Sequence, residues 1–208
     1  MKLLIASQNP KKLKELQEIL NDHLNKTILR SLKLQSLSDF PNINEIKEDG
    51  KTFEENAVKK ALGYAAQTGL LTLADDSGLS VDVLNGEPGV YSARFAGDEK
   101  DDRENCEKVL RLLEKAPDAK RAAKFECVIA IAEPNRLIGT TKGEVKGVIL
   151  RKLRGSGGFG YDPLFFYPPF NKTFAEVSGK EKHQVSHRSA ALKSAIKILA
   201  KYLSDNNL

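Results

Sequence analysis

The sequence predicts an α/β protein with a two-lobed mixed sheet flanked by helices. Three observations support this fold class. A short apolar strand at 2–6 leads at once into an amphipathic helical segment, and a second apolar strand at 70–74 follows a second helix. Two long alternating segments are joined by a turn at 133–136, which predicts an antiparallel pair beside parallel strands. Since no linker or composition shift marks a boundary, we interpret 1–208 as a single two-lobed domain.

The elements of the first half alternate in type. We expect a helix over 10–24, a strand over 27–34, a loop over 36–51, a helix over 52–67 and a strand over 70–74. Pro10 favours the first helical position. Thr52 with Glu55 three residues later predicts a capping box for the second helix, and Gly69 is a typical residue to end it. We expect Asp75-Asp76-Ser77-Gly78 to close the strand that follows.

The second half is predicted to hold more turns and strands. A turn-rich segment over 79–91 contains Asn-Gly and Pro-Gly pairs. The remaining elements are predicted to be a helix over 101–115, a strand pair over 124–132 and 137–150, a short strand over 164–166 and a closing amphipathic helix over 188–203.

Composition restricts the class of protein further. The chain has 208 residues, 40% hydrophobic and 29% charged, with a net charge of +5. Its apolar runs are too short to cross a bilayer, and the first one is shorter than the core of a signal peptide. A basic balance favours anionic ligands without indicating nucleic acid. Because Cys106 and Cys127 lack metal-ligand spacing, we expect no disulfide framework and a cytoplasmic location.

The most informative segment is GSGGFGYDPLFF at 155–166. Glycines let a backbone approach a ligand, aromatic rings stack on flat rings, and Asp162 can accept hydrogen bonds from ring N–H groups. Lys182, His187 and Arg188 add donors near the start of the last helix. This combination favours a nucleobase pocket. The G-x-G-x-x-G spacing within it does not indicate a Rossmann turn, because a strand and not a helix follows.

Two further groups favour phosphate and metal chemistry. Ser7, Asn9 and Lys12 follow the first strand and precede a helix, where a hydroxyl, an amide, a lysine and free helix N–H groups suit an anion. Plain helix capping explains the same residues. Asp75 and Asp76 lie where a strand is predicted to end, and their charges suit Mg²⁺ with phosphate oxygens. An ordinary turn aspartate is the alternative.

Residues outside these motifs add to both groups. Glu48 in the preceding loop can supply a further metal ligand, although solvation alone explains a loop acid. Lys60 on the second helix can reach a phosphate or simply be exposed. Other classes stay open from the residues alone: a nucleotide-binding regulator without turnover, an RNA-binding module, and a pyrophosphatase that acts on modified pyrimidine nucleotides.

Five stretches in order, SQNPKK, TFEENAVKKA, LADDSGLSVDVLNGEPGVYSARFAG, GGFGYDPLF and SHRSAALK, resemble the non-canonical purine nucleoside triphosphate pyrophosphatases, also called inosine/xanthosine triphosphate pyrophosphatases. The resemblance covers nearly the whole chain. It implies hydrolysis of ITP, dITP and XTP between the α and β phosphates, dependence on Mg²⁺, a homodimer, and a cleft between the two lobes that holds the active site.

The resemblance also implies roles for individual residues. Ser7, Asn9 and Lys12 fall where the family holds the triphosphate. As a mechanistic hypothesis, we expect Lys12 and Lys60 to stabilise charge on the leaving pyrophosphate. Glu48 and Asp76 fall at metal positions, and Asp76 is also the proton acceptor. The remaining substrate contacts implied are Ser77, Phe159, Gly160, Tyr161, Asp162, Lys182, His187 and Arg188. Serine at position 7 departs from the threonine also common in the family, but it keeps the hydroxyl.

Overall fold

The computed structural model describes residues 1–24 and 32–206. Within them the strands are β1 (Lys2–Ala6), β2 (Lys33–Ser36), β3 (Leu71–Val81), β4 (Ala122–Glu133), β5 (Arg136–Ile149), β6 (Phe165–Tyr167) and β7 (Lys172–Thr173). The α-helices are α1 (Pro10–His23), α2 (Phe53–Thr68), α3 (Asp102–Leu112), α4 (Gly179–Val185) and α5 (His187–Asp205). The strand order is β2-β1-β3-β4-β5-β6-β7.

The chain forms two compact units, each assembled from separate stretches of sequence. Unit 1 comprises the described parts of Met1–Asp76, Cys127–Gly143 and Arg188–Leu208. Unit 2 comprises Ser77–Glu126 and Glu144–His187. Because β3, β4 and β5 contribute residues to both units, neither unit corresponds to a continuous half of the sequence.

In unit 1, helices cover both faces of a parallel set of strands. β1 pairs in parallel with β2 and with β3. Leu3 and Ile5 of β1 pack in a cluster with α1 and α5, whereas Leu4 and Ala6 pack in another cluster with α2. Successive side chains of a strand point to opposite faces, so a strand buried on both faces must be apolar throughout. The run LLIA at 3–6 meets that requirement.

β3 carries the acids inside the strand, and the prediction that they close it is wrong. The strand continues through Asp75 and Asp76 to Val81. Alternation places Asp75 on the face of Leu73, with α1 and α5, and Asp76 on the face of Ala74, with α2. Both acids are buried, and each finds cations on its own face. Those cations allow charged residues to occupy a strand interior.

In unit 2, an aromatic cluster forms the core beneath α3. β6 pairs antiparallel with both β5 and β7. Phe125 lies 4.5 Å from Phe165 and 6.1 Å from Phe174, measured between ring centroids, and Val109 of α3 belongs to the same cluster. These contacts fix the position of β6, which follows the glycine-rich segment, because large rings in close contact leave little freedom of position.

The predicted fold class, a mixed α/β sheet flanked by helices, is confirmed. Helix bounds agree to within a few residues at 10–24, 52–67 and 188–203. For the strand predicted over 27–34, residues 27–31 lie outside the described residues, and the strand observed is Lys33–Ser36. The sequence analysis missed α4 and β7, which are too short for a periodic signal to emerge. Among the described residues, none of the helices has the length and hydropathy to cross a membrane.

Candidate functional site

A buried lysine between two carboxylates is the central feature of unit 1. The Nζ of Lys60 lies 3.2 Å from Oδ1 of Asp76 and 3.0 Å from Oε2 of Glu48. The side chains of Lys60 and Asp76 are only 9% and 8% exposed, whereas that of Glu48 is 38% exposed. Since burial of one charge is costly without a partner, the Lys60 ammonium and the two carboxylates stabilise each other's ionised forms, whereas the two acids repel each other.

The helix α2 positions this cluster through residues one turn apart. Thr52 caps α2 by accepting a hydrogen bond from the backbone N–H of Glu55. The predicted capping box is incomplete, since the Glu55 carboxylate accepts from the N–H of Lys51 and not from that of Thr52. Asn56 lies four residues before Lys60, a spacing that puts both side chains on one face of the helix.

Asn56 was missed by the sequence analysis, although its spacing to Lys60 is a usable signal. Its Nδ2 donates to Oδ2 of Asp76 at 3.2 Å, and its Oδ1 accepts from the N–H of Gly50 at 2.7 Å. One amide therefore binds the Asp76 carboxylate and the loop that carries Glu48. The expected effect is to keep Glu48 near Asp76 despite the polar character of that loop.

Burial and charge set the protonation of the cluster. Burial raises the pKa of Asp76, and the opposing charges of Lys60 and Lys12 do not cancel that effect. Burial also acts on Glu48, but Lys60, a hydrogen bond with Asp76 and the charge of Lys12 together outweigh it and lower the pKa of that carboxyl. For Lys60, the nearby carboxylates overcome burial and raise the pKa. Lys60 is consequently cationic, and Asp76 is the better proton acceptor of the two acids.

Asp75 belongs to a separate ion network on the opposite face of β3. Its Oδ2 lies 3.4 Å from Nζ of Lys12 and 3.5 Å from Nε of Arg188. The Nη1 of Arg188 also pairs with Oε2 of Glu15 on α1. Lys12 and Glu15 come from α1 and Arg188 from α5, so the network joins both helices to β3.

The N-terminus of α1 is closed by its own cap. Asn9 Oδ1 accepts from the N–H groups of Lys11 and Lys12 at 2.9 and 3.1 Å, and Asn9 O accepts from Leu13 N–H. Pro10 has no N–H. The expectation of free helix N–H groups for a phosphate is therefore wrong, because the side chain of Asn9 already takes these donors. The hydroxyl of Ser7 donates to Asn9 O at 3.4 Å.

In unit 2, Asp162 organises the glycine-rich segment. Its Oδ2 accepts from the N–H of Phe159 at 2.9 Å and from Nζ of Lys182 at 2.7 Å. The ammonium of Lys182 lies 4.8 Å from the centroid of the Phe159 ring, a cation–π distance. At Gly158, φ is +68° and an added Cβ would lie 2.1 Å from Asp162 Oδ2. Only glycine fits there.

Three other predicted residues of unit 2 have defined partners. The Tyr161 hydroxyl donates to the backbone oxygen of Ser92 at 2.8 Å, and its ring lies in the core. The ring of His187 stacks on Phe125, with centroids 4.9 Å apart and planes 17° apart. The N–H of Gly160 donates to Oδ2 of Asp102 at 2.9 Å. The structure gives Tyr161 a packing role, and its predicted contact with substrate stays a prediction.

The predicted site residues thus fall into groups with different surroundings. Lys60, Glu48 and Asp76 meet on one face of unit 1, while Lys12 and Arg188 meet Asp75 on the other face. Ser77 is half-buried within β3. The guanidinium of Arg188 pairs with Glu15 and Asp75 of unit 1. Its predicted contact with the base stays a prediction. Phe159, Asp162 and Lys182 meet in unit 2.

By fold, the protein is an α/β protein in which a buried acid of a central strand pairs with a buried lysine of a flanking helix. More narrowly, the chain belongs to the Ham1 family, whose model matches residues 3–198. It is 54% identical to the dITP/XTP pyrophosphatase of Desulforamulus reducens, over 96% of each chain.

Two solved structures resemble the whole chain. The Ham1 protein of Staphylococcus aureus superposes with a TM-score of 0.81 at 38% identity, and the alignment covers 99% of this chain and 100% of that one. A HAM1 protein of Coxiella burnetii gives a TM-score of 0.84 at 43% identity, covering 97% and 99%. The similarity extends over nearly the full length of this chain and of both solved proteins.

Proposed function

We propose that the protein hydrolyses the non-canonical purine nucleoside triphosphates ITP, dITP and XTP to the monophosphate and pyrophosphate, which removes deaminated purines from the nucleotide pool. The observation that carries the reaction type is the buried cluster of Asp76, Lys60 and Glu48, which combines a proton acceptor with a fixed cation. The substrate class follows from membership of the Ham1 family and from relatives named dITP/XTP pyrophosphatases.

The acids of this cluster fit a divalent cation, and we propose Mg²⁺ held by Glu48 and Asp76. Both carboxylates lie within 3.2 Å of the same Lys60 ammonium, so they are close enough to share an ion. Their oxygens are the hard ligands that Mg²⁺ prefers. Among residues 1–24 and 32–206, no three His, Cys, Asp or Glu side chains are grouped as metal ligands. Water and phosphate oxygens therefore complete the coordination in this proposal.

The chain's own residues supply the remaining chemistry. When bound, Mg²⁺ offsets phosphate charge. Asp76 takes the proton of the attacking water, a role that its raised pKa favours. Lys60 stays cationic beside it and stabilises charge on the departing pyrophosphate. Ser7, Asn9 and Lys12 hold the triphosphate through side chains, since the backbone donors at this end of α1 are taken.

Base choice rests on hydrogen-bond polarity in unit 2. Hypoxanthine and xanthine present a 6-oxo acceptor, whereas adenine presents an amino donor at that position. Lys182 and His187 supply donors, and the Phe159 ring offers a stacking surface. A buried donor that faces an amino group stays unpaired, which costs binding free energy. ATP is therefore a poor substrate in this proposal.

Release of pyrophosphate from ITP, dITP, XTP, GTP and ATP, with and without Mg²⁺, tests the proposal. We expect turnover of the first three with Mg²⁺ and much slower turnover of ATP. Equal rates on ATP and ITP contradict the assigned specificity. A chain that binds ITP but releases no pyrophosphate is a regulator and not an enzyme.

Substitution of Asp76→Asn tests the assigned acceptor, because it keeps the shape of the side chain and removes its charge. Loss of a general base predicts a fall in kcat of about a hundredfold or more. Asp82→Asn is the matched control, since Asp82 is an exposed acid outside the cluster. If Asp76→Asn turned over ITP like the control, Asp76 would not be the acceptor.

We further propose a cytoplasmic homodimer. Free, buried Cys106 and Cys127 are compatible with a reducing compartment. Sedimentation equilibrium separates the two oligomeric states, since a dimer has twice the 23.0 kDa mass of the chain.

A further inference from the structure

We propose that Asp102 and Cys106 of α3 are positioning residues for the 157–162 loop, which they hold through the peptide groups of Gly160. This inference rests on the proposed function, because it assigns the loop to base binding. It adds two residues outside the motifs that suggested the base pocket. Neither residue touches the base in this proposal; both act through the backbone of Gly160.

The geometry is a clamp on the two polar backbone groups of one glycine. Oδ2 of Asp102 accepts from Gly160 N–H at 2.9 Å. Sγ of Cys106 donates to Gly160 O at 3.4 Å, within the range for a sulfur donor. Asp102 and Cys106 are four residues apart on α3, so they present side chains on one helix face. Both groups of Gly160 are therefore bound by the same helix.

Gly160 is a position where such a clamp matters. Its φ is +59°, and nothing lies within 4 Å of where a Cβ would be. No atom therefore packs against Gly160 on the side where a Cβ would lie, and glycine gives the backbone more freedom than other residues have. The preceding residue, Phe159, carries the proposed stacking ring. Rotation at Gly160 would reorient that ring, so the two hydrogen bonds from α3 add to the restraint of the turn that Asp162 N–H closes on Phe159 O at 3.2 Å.

The helix α3 is a rigid reference for the loop. Val109 lies in the core of unit 2 and is fully buried. Asn105, also buried, donates from Nδ2 to Ala93 O at 3.1 Å and accepts from Ala96 N–H at 2.7 Å. Asp101 caps the helix by accepting from the N–H groups of Arg103 and Glu104. A helix held at its core face and its end moves little.

The loop is also held by a separate set of contacts, made by Asp162. Asp162 holds the N–H of Phe159 and the ammonium of Lys182. Asp102 and Cys106 hold the next residue from α3. The ring of Phe159 is therefore fixed from both sides along the backbone. Burial raises the pKa of Cys106 to about 12, so the thiol keeps the proton that it donates.

Hydrogen exchange at the Gly160 amide tests the clamp without any substrate. Asp102→Ala removes the acceptor, and we expect faster exchange at this amide than in the wild type. Asp102→Asn keeps an acceptor and should restore most of the protection. Arg103→Ala is the matched control, because Arg103 is exposed on the same helix and pairs only with Glu107 among the contacts described. Unchanged protection in Asp102→Ala would overturn the proposal.

Steady-state kinetics then test the consequence for base binding. We expect Asp102→Ala to raise KM for ITP about fivefold, as loss of one hydrogen bond implies, with kcat changed less than KM. Cys106→Ala should act in the same direction and Cys106→Ser less so. A KM like that of Arg103→Ala contradicts the positioning role. If the wild type releases no pyrophosphate from ITP, the proposed function fails, while the exchange experiment still decides the clamp.

Discussion

At the scale of single residues, burial decides what each ionisable group does. Asp75 and Asp76 are neighbours in sequence, yet their carboxylates face opposite sides of β3 and different cations. Glu48 shares Lys60 with Asp76, although 28 positions separate the two acids. The residue pattern alone grouped Asp75 with Asp76, whereas the family resemblance grouped Asp76 with Glu48, and the structure brings Asp76 and Glu48 to the same ammonium of Lys60. Strand alternation is the physical reason.

Lys60→Met tests how far the buried cluster stabilises the fold. Removal of the cation leaves Asp76 buried without its main partner, so we expect a loss of about 3 kcal/mol in the free energy of unfolding, measured in urea without Mg²⁺. Lys59→Met is the control, since Lys59 is half exposed and pairs with an exposed acid.

The double variant Lys60→Met/Asp76→Asn sharpens that test. It removes both charges, so we expect it to recover part of the lost stability. If Asp76→Asn lowered the free energy of unfolding as much in the Lys60→Met background as in the wild type, the two residues would not be coupled. Urea unfolding of the wild type, Lys60→Met, Asp76→Asn and the double variant gives the coupling free energy.

The two thiols should be inert in the folded protein. Burial raises the pKa of Cys106 and of Cys127 to about 12, so at pH 8 about one thiol in ten thousand is ionised. We expect no labelling by iodoacetamide in native buffer and full labelling in denaturing urea, read by mass spectrometry. Rapid labelling of the native protein would contradict the burial of these residues.

At the scale of elements, local signals explain where helices begin and end. Thr52, Asn9 and Asp101 each accept hydrogen bonds from the first turn of the helix that follows. At the other end of α2, Gly69 adopts φ of +71°, as a helix C-cap often requires. These are short-range effects, so the sequence predicts them well. The end of β3 was mispredicted because the cations that allow Asp75 and Asp76 inside a strand, Lys12 and Lys60, come from helices distant in sequence.

Gly69→Ala tests the cap of α2. No atom lies within 4 Å of the added Cβ, so the cost comes from the left-handed backbone alone and should be about 1 kcal/mol. Gly179→Ala at the start of α4 is the control, because its surroundings are equally open and its φ is not positive. Urea unfolding compares the two. Equal stability of both variants would contradict the assigned strain.

At the scale of the whole molecule, ligand and metal should act together on stability. A non-hydrolysable ITP analogue with a methylene bridge between the α and β phosphates binds only the folded state, so at a hundredfold excess over Kd it adds about 2.7 kcal/mol. We expect the melting temperature to rise by about 5–10 °C with Mg²⁺. EDTA should remove most of this rise. A rise of equal size in EDTA would contradict the proposed metal.

Some of the architecture could be predicted because it depends on neighbours in sequence. The run LLIA, the Pro10 start of α1 and the Thr52 and Gly69 boundaries of α2 depend on periodicity and capping within a few residues. The glycine-rich segment was also recognisable, since the positive φ values there need glycine. The helix α4 shows no apolar periodicity, because its seven residues include one aliphatic residue, although Ser178 and Glu181 form a capping box at its start.

The chain itself determined its fold class, most of its helix and strand positions and the identity of the chemical groups, because these follow from local preference and alternation. Only the tertiary structure decided which groups meet. It placed Lys60 between Glu48 and Asp76, and Arg188 with Glu15 and Asp75. Such pairs join residues up to 173 positions apart, and burial selects them because an unpaired charge in the interior costs several kcal/mol.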